Sequence, residues 1–356
     1  MRFASLASLV LLAACSTASA PNSIVAPNAV AVPIPAAWQA NRSPSPVPDL
    51  CALVTCAPKA QSNVRIEGGR IFAGDKALTP QFAAIQSFDV SLERKEVVFS
   101  AKRKDNFDIG LVALEGSDVH WVPEDHADET DVQWAPRGNK VSFVVHNAGG
   151  ELIRSVHIPT ASQLSADFPY SIVRQLAWDP AAERYSIVVE TPDSSPRAET
   201  LRYNGEERKV VRAPAIKLDM ALEPFEGGVM LRPSAMRYNE RIPLVVWIDA
   251  RPYAWNDVRA SLLRERRIGG IVSSRIPDPA FWMAVRSIPW VDPSQIFLVG
   301  AAGDGAVRSI AGDASVATGR YLQQGNTVLV APADVQSFAA RYIADLLKGT
   351  TPPNGR

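Results

Sequence analysis

Trp134-Ala-Pro-Arg-Gly-Asn-Lys-Val-Ser-Phe143 decides how the first half of this chain is read, because it recurs. Val90-Ser-Leu-Glu-Arg-Lys-Glu-Val-Val-Phe99 and Trp178-Asp-Pro-Ala-Ala-Glu-Arg-Tyr-Ser-Ile187 superpose on it without a gap, with starts at 90, 134 and 178. Each copy is an apolar residue, a polar turn, and then an alternating run. Alternation at period two marks a strand, and the Pro and Gly of the turns punctuate it. Phe107–Leu114 adds a further strand after the first copy, closed by a turn at 115–117. A period of about 40–45 residues with several strands per unit is that of a propeller blade.

Three units do not close a ring, for which about four blades are the lower limit. Strand-forming residues at Val64–Phe72 offer one more sheet. A copy in phase at Leu222 is better assigned to the domain that follows. The spacing therefore predicts a partial, open array over 64–213. Open edges would invite a protein or peptide partner, or a second copy of the chain as a homodimer.

From Val229 the pattern changes to alternating strand and helix. Val229–Pro233, Ile242–Ile248, Gly269–Ser273 and Ile296–Val299 read as strands, and Asn326–Ala331 as a further one. Asn256–Arg266, with Asn256 as N-cap, and Pro279–Ser287 read as helices, and Asp334 caps a last one that ends at Gly349. This alternation predicts a mostly parallel α/β sheet over 214–349, followed by a disordered tail over 350–356. The fold class expected is thus β plus α/β.

The blade repeats resemble TolB-like repeats and the propellers of the prolyl oligopeptidase family. There the turn reads Ser-Pro-Asp-Gly, which decays here to Ala-Pro-Arg-Gly and Asp-Pro-Ala-Ala. In the second half, Ile242-Pro-Leu-Val-Val-Trp-Ile-Asp-Ala-Arg-Pro252 resembles that family's Tyr-Pro-Leu-Val-Val strand and His-Gly-Gly-Pro loop. Val291-Asp-Pro-Ser-Gln-Ile296 resembles the lead into its nucleophile elbow, and the similarity spans roughly 226–305. The resemblance implies an α/β-hydrolase-like domain whose elbow is Gly300, Ala302, Gly303, Asp304 and Gly305.

The departures fall on the chemistry. Serine hydrolysis needs a nucleophile, an imidazole base and a carboxylate, and an elbow holds the nucleophile at its centre. That place holds Ala302, or Gly303 if the match slides by one. The last histidine is His157, so no imidazole follows it. Between Ala306 and Asn326 the acid is Asp313 alone, in a segment too short for the usual strands. The oxyanion loop becomes Asp249-Ala-Arg251-Pro252, and an Asp there would repel a developing oxyanion. The expectation is an elbow without catalytic residues.

With 356 residues, 47% of them apolar, the chain is long enough for two cores. Its 37 basic and 37 acidic residues argue against nucleic acid as a partner. A basic start, an apolar run from Leu6 to Leu12 and Leu12-Ala-Ala-Cys15 form a short export signal over 1–14. Its ending resembles a bacterial lipobox, which implies lipidation at Cys15 and a membrane anchor. An ordinary signal peptide is the alternative. Ser16 after the cysteine favours the outer membrane, facing the periplasm, in a Gram-negative host. Residues 15–63 are rich in Pro, Ala and Ser and read as a semi-rigid tether. Cys51 and Cys56 within it could form a disulfide, free thiols or a metal pair, and export favours the disulfide.

The run His120, Glu124, Asp125, His126, Asp128, Glu129, Asp131 is read as a solvated loop, not a cation site, because its spacing is irregular. Trp134 and Trp178 are read as core, and Arg264, Arg266 and Arg267 as charges that suit a helix end. No cofactor and no metal are expected. The expected function is a cell-envelope lipoprotein that binds or scaffolds without catalysis. One alternative is an active serine peptidase or esterase with a displaced site, for instance at Ser309 with a propeller histidine as base. The other is a decayed remnant with no selected function.

Overall fold

The computed structural model describes residues 46–299, apart from 117, 124–125, 266 and 276–277. A short helix, α1 (Leu50–Leu53), precedes a three-stranded sheet of β1 (Val64–Glu67), β2 (Arg70–Ala73) and β3 (Lys76–Ala77). Three four-stranded antiparallel meanders follow. The first is β4 (Ile85–Ser91), β5 (Glu96–Arg103), β6 (Asn106–Ala113) and β7 (His120–Trp121). The second is β8 (Asp128–Trp134), β9 (Lys140–Asn147), β10 (Gly150–His157) and β11 (Ser162–Pro169). The third is β12 (Ile172–Trp178), β13 (Arg184–Thr191), β14 (Ser194–Arg202) and β15 (Lys209–Arg212).

Each repeated decapeptide is the end of a blade's first strand, the turn, and the start of its second strand. Asp179 holds the third turn by accepting the Glu183 and Arg184 N–H groups at 2.9 and 3.2 Å. Ala182 sits there at φ 61°, in the place that Gly138 fills at φ 76° in the second copy.

The blades stack face to face, so both faces of a middle sheet are buried. Along β9, Val141, Phe143 and Val145 pack toward the first blade, while Val144 packs toward the third. Trp134 and Trp178 lie in these cores, as expected. Polar side chains tie one blade to the backbone of the next. Asp89 accepts the Trp134 N–H at 2.8 Å, Ser87 accepts that of Val132 at 3.2 Å, and Gln133 donates to the Leu176 carbonyl. The 64–77 sheet does not complete a fourth blade. It covers the first, with Val64, Ile71 and Leu78 against Val97, Phe99 and Val112. The array does not close into a ring.

The last sheet has β16 (Met220–Phe225), β17 (Gly228–Pro233), β18 (Ile242–Ile248), β19 (Gly269–Ser273) and β20 (Val291–Val299), in the order β16-β17-β19-β18-β20. The Leu222 segment is its edge strand and not a blade. Helices α2 (Asp257–Glu265) and α3 (Pro279–Ser287) make the crossovers. Asn256 caps α2, accepting the Arg259 N–H at 2.9 Å, and Asp278 caps α3 through Phe281 at 2.8 Å. The expected mostly parallel sheet is mixed among the described strands. β18 runs parallel to β19 and β20, but β17 runs antiparallel to β19 and to β16. The antiparallel pair arises because Glu226 and Gly227 form a tight hairpin, with Gly227 at φ 66°. The strand and helix expected beyond 305 lie outside the described residues.

Cys51 and Cys56 form a disulfide, with Cα atoms 5.4 Å apart. The stretch around them lies on the third blade instead of hanging free, and Leu50 is buried there. Among the described residues no helix is long and apolar enough to cross a membrane.

Candidate functional site

In an open α/β sheet, ligands bind outside the carboxyl ends of the parallel strands. β18 and β20 are parallel neighbours with Trp247 opposite Val299, so their carboxyl ends lie at the same end of the sheet. The elbow Gly300, Ala302, Gly303, Asp304 and Gly305 lies outside the described residues, as do Ser309 and Cys15. The loop after β18 is described in full and makes one wall of the candidate site.

Asp249 opens this loop. Its carboxylate accepts the Arg251 N–H at 3.0 Å and faces Nη1 of Arg259 at 3.9 Å, beyond hydrogen-bond reach. Arg259, in the first turn of α2, is wholly buried. Its Nη2 donates to the Ala254 carbonyl, but Nε and Nη1 meet no acceptor. The guanidinium lies 6.0 Å from the Trp247 ring centroid. Burial pushes its pKa down to about 10, against the pull of Asp249 and Glu190.

The rest of the loop docks onto the blades. The Tyr253 hydroxyl donates to the Ala148 carbonyl in the β9–β10 turn, and its ring centroid is 6.1 Å from that of Tyr170. Burial, with Tyr170 adding to it, pushes the Tyr253 phenol up. The Trp255 N–H donates to Glu190 of the third blade at 3.2 Å, and Arg174 pairs with that carboxylate at 2.5 Å. The loop is thus clamped from beneath by Arg259 and in front by two blades. Arg251 is exposed at its rim and Pro252 is buried. The loop presents the Asp249 carboxylate at the carboxyl end of β18.

The four histidines lie between 120 and 157. His120 and His126 are exposed, and the ring of His157 contacts the Thr160 hydroxyl at 2.8 Å. His146 is bound at both ring nitrogens, to Glu151 at 2.8 Å and to the Thr130 hydroxyl at 2.6 Å. Burial alone would lower the His146 pKa. The hydrogen bond and charge of Glu151, with Asp131 and Asp128, outweigh it and raise the pKa.

The acidic run is not one solvated loop. Asp128–Trp134 is strand β8, and Glu129 is wholly buried beside Arg154 at 3.5 Å. The alternation of β8 turns Glu129 inward, where the charge of Arg154 offsets its burial. Among the described residues no group of three His, Cys, Asp or Glu is placed to hold a metal. Arg264 lies in the last turn of α2, as a helix-end charge, and Arg267 beyond it pairs with Glu240 and donates to the Ala235 carbonyl at 3.1 Å. Arg259 was missed from sequence. Its signal is a cation on the buried stripe of α2, in phase with Leu262 and Leu263.

No protein-family model matches the chain, and no curated protein does. Solved structures do. An acylaminoacyl peptidase from Pyrococcus horikoshii matches with a TM-score of 0.50 and 11% identity, over 68% of this chain and 45% of that one. An acylaminoacyl peptidase in complex with Z-Gly-Gly-Phe-chloromethyl ketone matches with a TM-score of 0.50 and 12% identity, over 69% of this chain and 45% of that one. Prolyl oligopeptidase B from Galerina marginata gives a TM-score of 0.49 and 10% identity, over 67% and 40%. The chain spans less than half the length of these structures. At such identities the likeness is one of fold: blades followed by a peptidase-type sheet.

Proposed function

We propose that this chain is a non-catalytic binding or scaffolding module built on the peptidase–propeller plan. It holds a protein or peptide segment at the carboxyl end of β18, beside Asp249. The observation that carries this reading is Asp249. A carboxylate that accepts the Arg251 N–H at the carboxyl end of β18 opposes the charge that ester or amide hydrolysis develops. The absence of any imidazole after His157 supports it from the sequence. A free sheet edge at β15, where Val210 and Val211 are exposed, offers strand addition to a partner or a second copy. Export and lipidation at Cys15, with an outer-membrane position facing the periplasm, complete the proposal.

The purified chain is expected to remain unlabelled by a fluorophosphonate serine-hydrolase probe. Stoichiometric labelling at a single serine would overturn the non-catalytic reading. For the anchor, Cys15→Ala should move the protein from the membrane to the soluble fraction, and unchanged membrane association would refute lipidation there.

A second reading is acyl transfer by a displaced site. Thr130, His146 and Glu151 favour it, since they form a hydroxyl–imidazole–carboxylate chain with 2.6 and 2.8 Å spacings. Against it, Asp131 lies 3.2 Å from the same hydroxyl, and its charge disfavours an oxyanion there. Labelling lost in Thr130→Ala and in His146→Gln would establish it.

A further inference from the structure

The third blade ends the array, yet its outer face is not bare. Alternation along β12, β13 and β14 sends Ala177, Val188 and Ala198 to the side away from the second blade, and Leu50 packs there at 2% exposure. The Leu50 N–H donates to Oε1 of Gln175 at 3.1 Å, and the Ala57 N–H donates to the Trp178 carbonyl at 2.7 Å. Between these two anchors, Asp49 caps the turn through the Cys51 N–H at 3.2 Å, and the disulfide closes it. The chain then passes Lys59 and enters β1, beside the first blade. Burial pushes the Asp89 carboxyl of that blade up, and the charge of Lys59 opposes the shift. Residues 47–57 thus stand where a fourth blade would pack.

The repeat itself is written for this cover. Asp89, Gln133 and Ala177 occupy one place in the three copies. Asp89 and Gln133 reach across to the backbone of the next blade. Ala177 has no polar group to offer and meets the Leu50 cluster instead. An apolar patch left bare at the end of a stacked array is a liability that a terminal cap removes.

The cover is held lightly. Its contacts are few: Leu50 and Pro48 are buried, Val54 and Ala57 pack partly on the blade, and two hydrogen bonds anchor it, against an ordering cost of about 1–2 kcal/mol per residue. Cys51, Ala52 and Leu53 on its outer side are exposed.

We propose that the outer face of the third blade is a docking groove for a turn that presents an aliphatic side chain and backbone N–H donors, and that residues 47–57 occupy it in cis as an exchangeable cover. This inference is independent of the crevice at Asp249. A tethered cover competes at an effective concentration in the millimolar range, so free ligand reaches the groove only when the cover is displaced.

The test uses the full chain. Leu50→Asp places a charge against Ala177, Val188 and Ala198 and should dislodge the cover. The probe is a fluorescein-labelled, disulfide-closed peptide of residues 47–57. By fluorescence anisotropy the Leu50→Asp chain should bind it at least about tenfold more tightly than the parent does. The added substitution Ala177→Glu should abolish that binding. Equal binding by parent and variant, no saturable binding by the variant, or binding that survives Ala177→Glu would each overturn the proposal. So would global unfolding of Leu50→Asp, seen as loss of near-ultraviolet dichroism, because the segment would then be core and not a cover.

Discussion

Arg259→Met tests whether the buried guanidinium under the 249–256 loop is a burden on the fold or a strut of it. Burial lowers the side chain from the ordinary guanidinium range to about 10. At about 1.4 kcal/mol per pH unit, the charged form is roughly 3 kcal/mol worse off inside than in the unfolded chain. Against this stands one charge-assisted hydrogen bond to the Ala254 carbonyl, of about 1.5–3 kcal/mol. Methionine keeps the length and the packing on Trp247 and removes cost and bond together. The expected stability is therefore equal to the parent or higher by up to about 2 kcal/mol, as when other buried ion pairs are replaced by apolar residues. Arg259→Ala also empties the site and should lose about 2–4 kcal/mol. Urea denaturation at pH 7, with unchanged slope, reads both. A loss above about 3 kcal/mol in Arg259→Met would refute the reasoning, for it would mean that the arginine is a net stabiliser. The pH dependence has a fixed sign. The folded value lies below the unfolded one, so the penalty is whole below pH about 10. It fades as the pH rises from there toward the ordinary guanidinium range, and the parent should gain on Arg259→Met there.

His146 has its pKa raised in the folded state, so its contribution is complete below 6.5 and is lost as the pH climbs through the higher folded value. His146→Gln should abolish the stability difference that the parent shows between pH 5 and pH 8 in urea, and an unchanged difference would assign it elsewhere. Ala182 holds a left-handed backbone that costs an L-residue about 1–2 kcal/mol, partly offset by the greater unfolded freedom of glycine. Ala182→Gly should therefore raise the urea midpoint by an amount equal to roughly 0.5–1 kcal/mol, and a lowered midpoint would show that the turn is not strained.

The array was legible in sequence because a blade repeats one solution to one packing problem. The same side chain meets the same neighbour every 44 residues, and Trp134 and Trp178 record it. The helix starts at Asn256 and Asp278 were legible because a cap is a local contact. What the sequence hid is non-local. The 47–57 stretch has the composition of a tether, and nothing within it announces that Leu50 will meet Ala177, Val188 and Ala198, more than a hundred residues on. Glu129 likewise reads as one acid in a run. Its inward turn follows from the register of β8, which the acidic neighbours on either side obscure.

The same distinction applies to the crevice. The expected lack of a nucleophile and an imidazole is read from residue type alone, because that chemistry requires particular side chains at particular places. Groups that act through burial are not, because Arg259 owes its lowered pKa to the apolar stripe of α2 and to the loop folded over it. Decay alone accounts for a missing serine. It accounts poorly for the last blade, where the position that sends a polar group to the next sheet in two copies is alanine in the copy with no next sheet. Random loss would spare or strike that position in any blade. Its coincidence with the docked leucine has a packing reason, since Ala177 leaves the room that Leu50 fills.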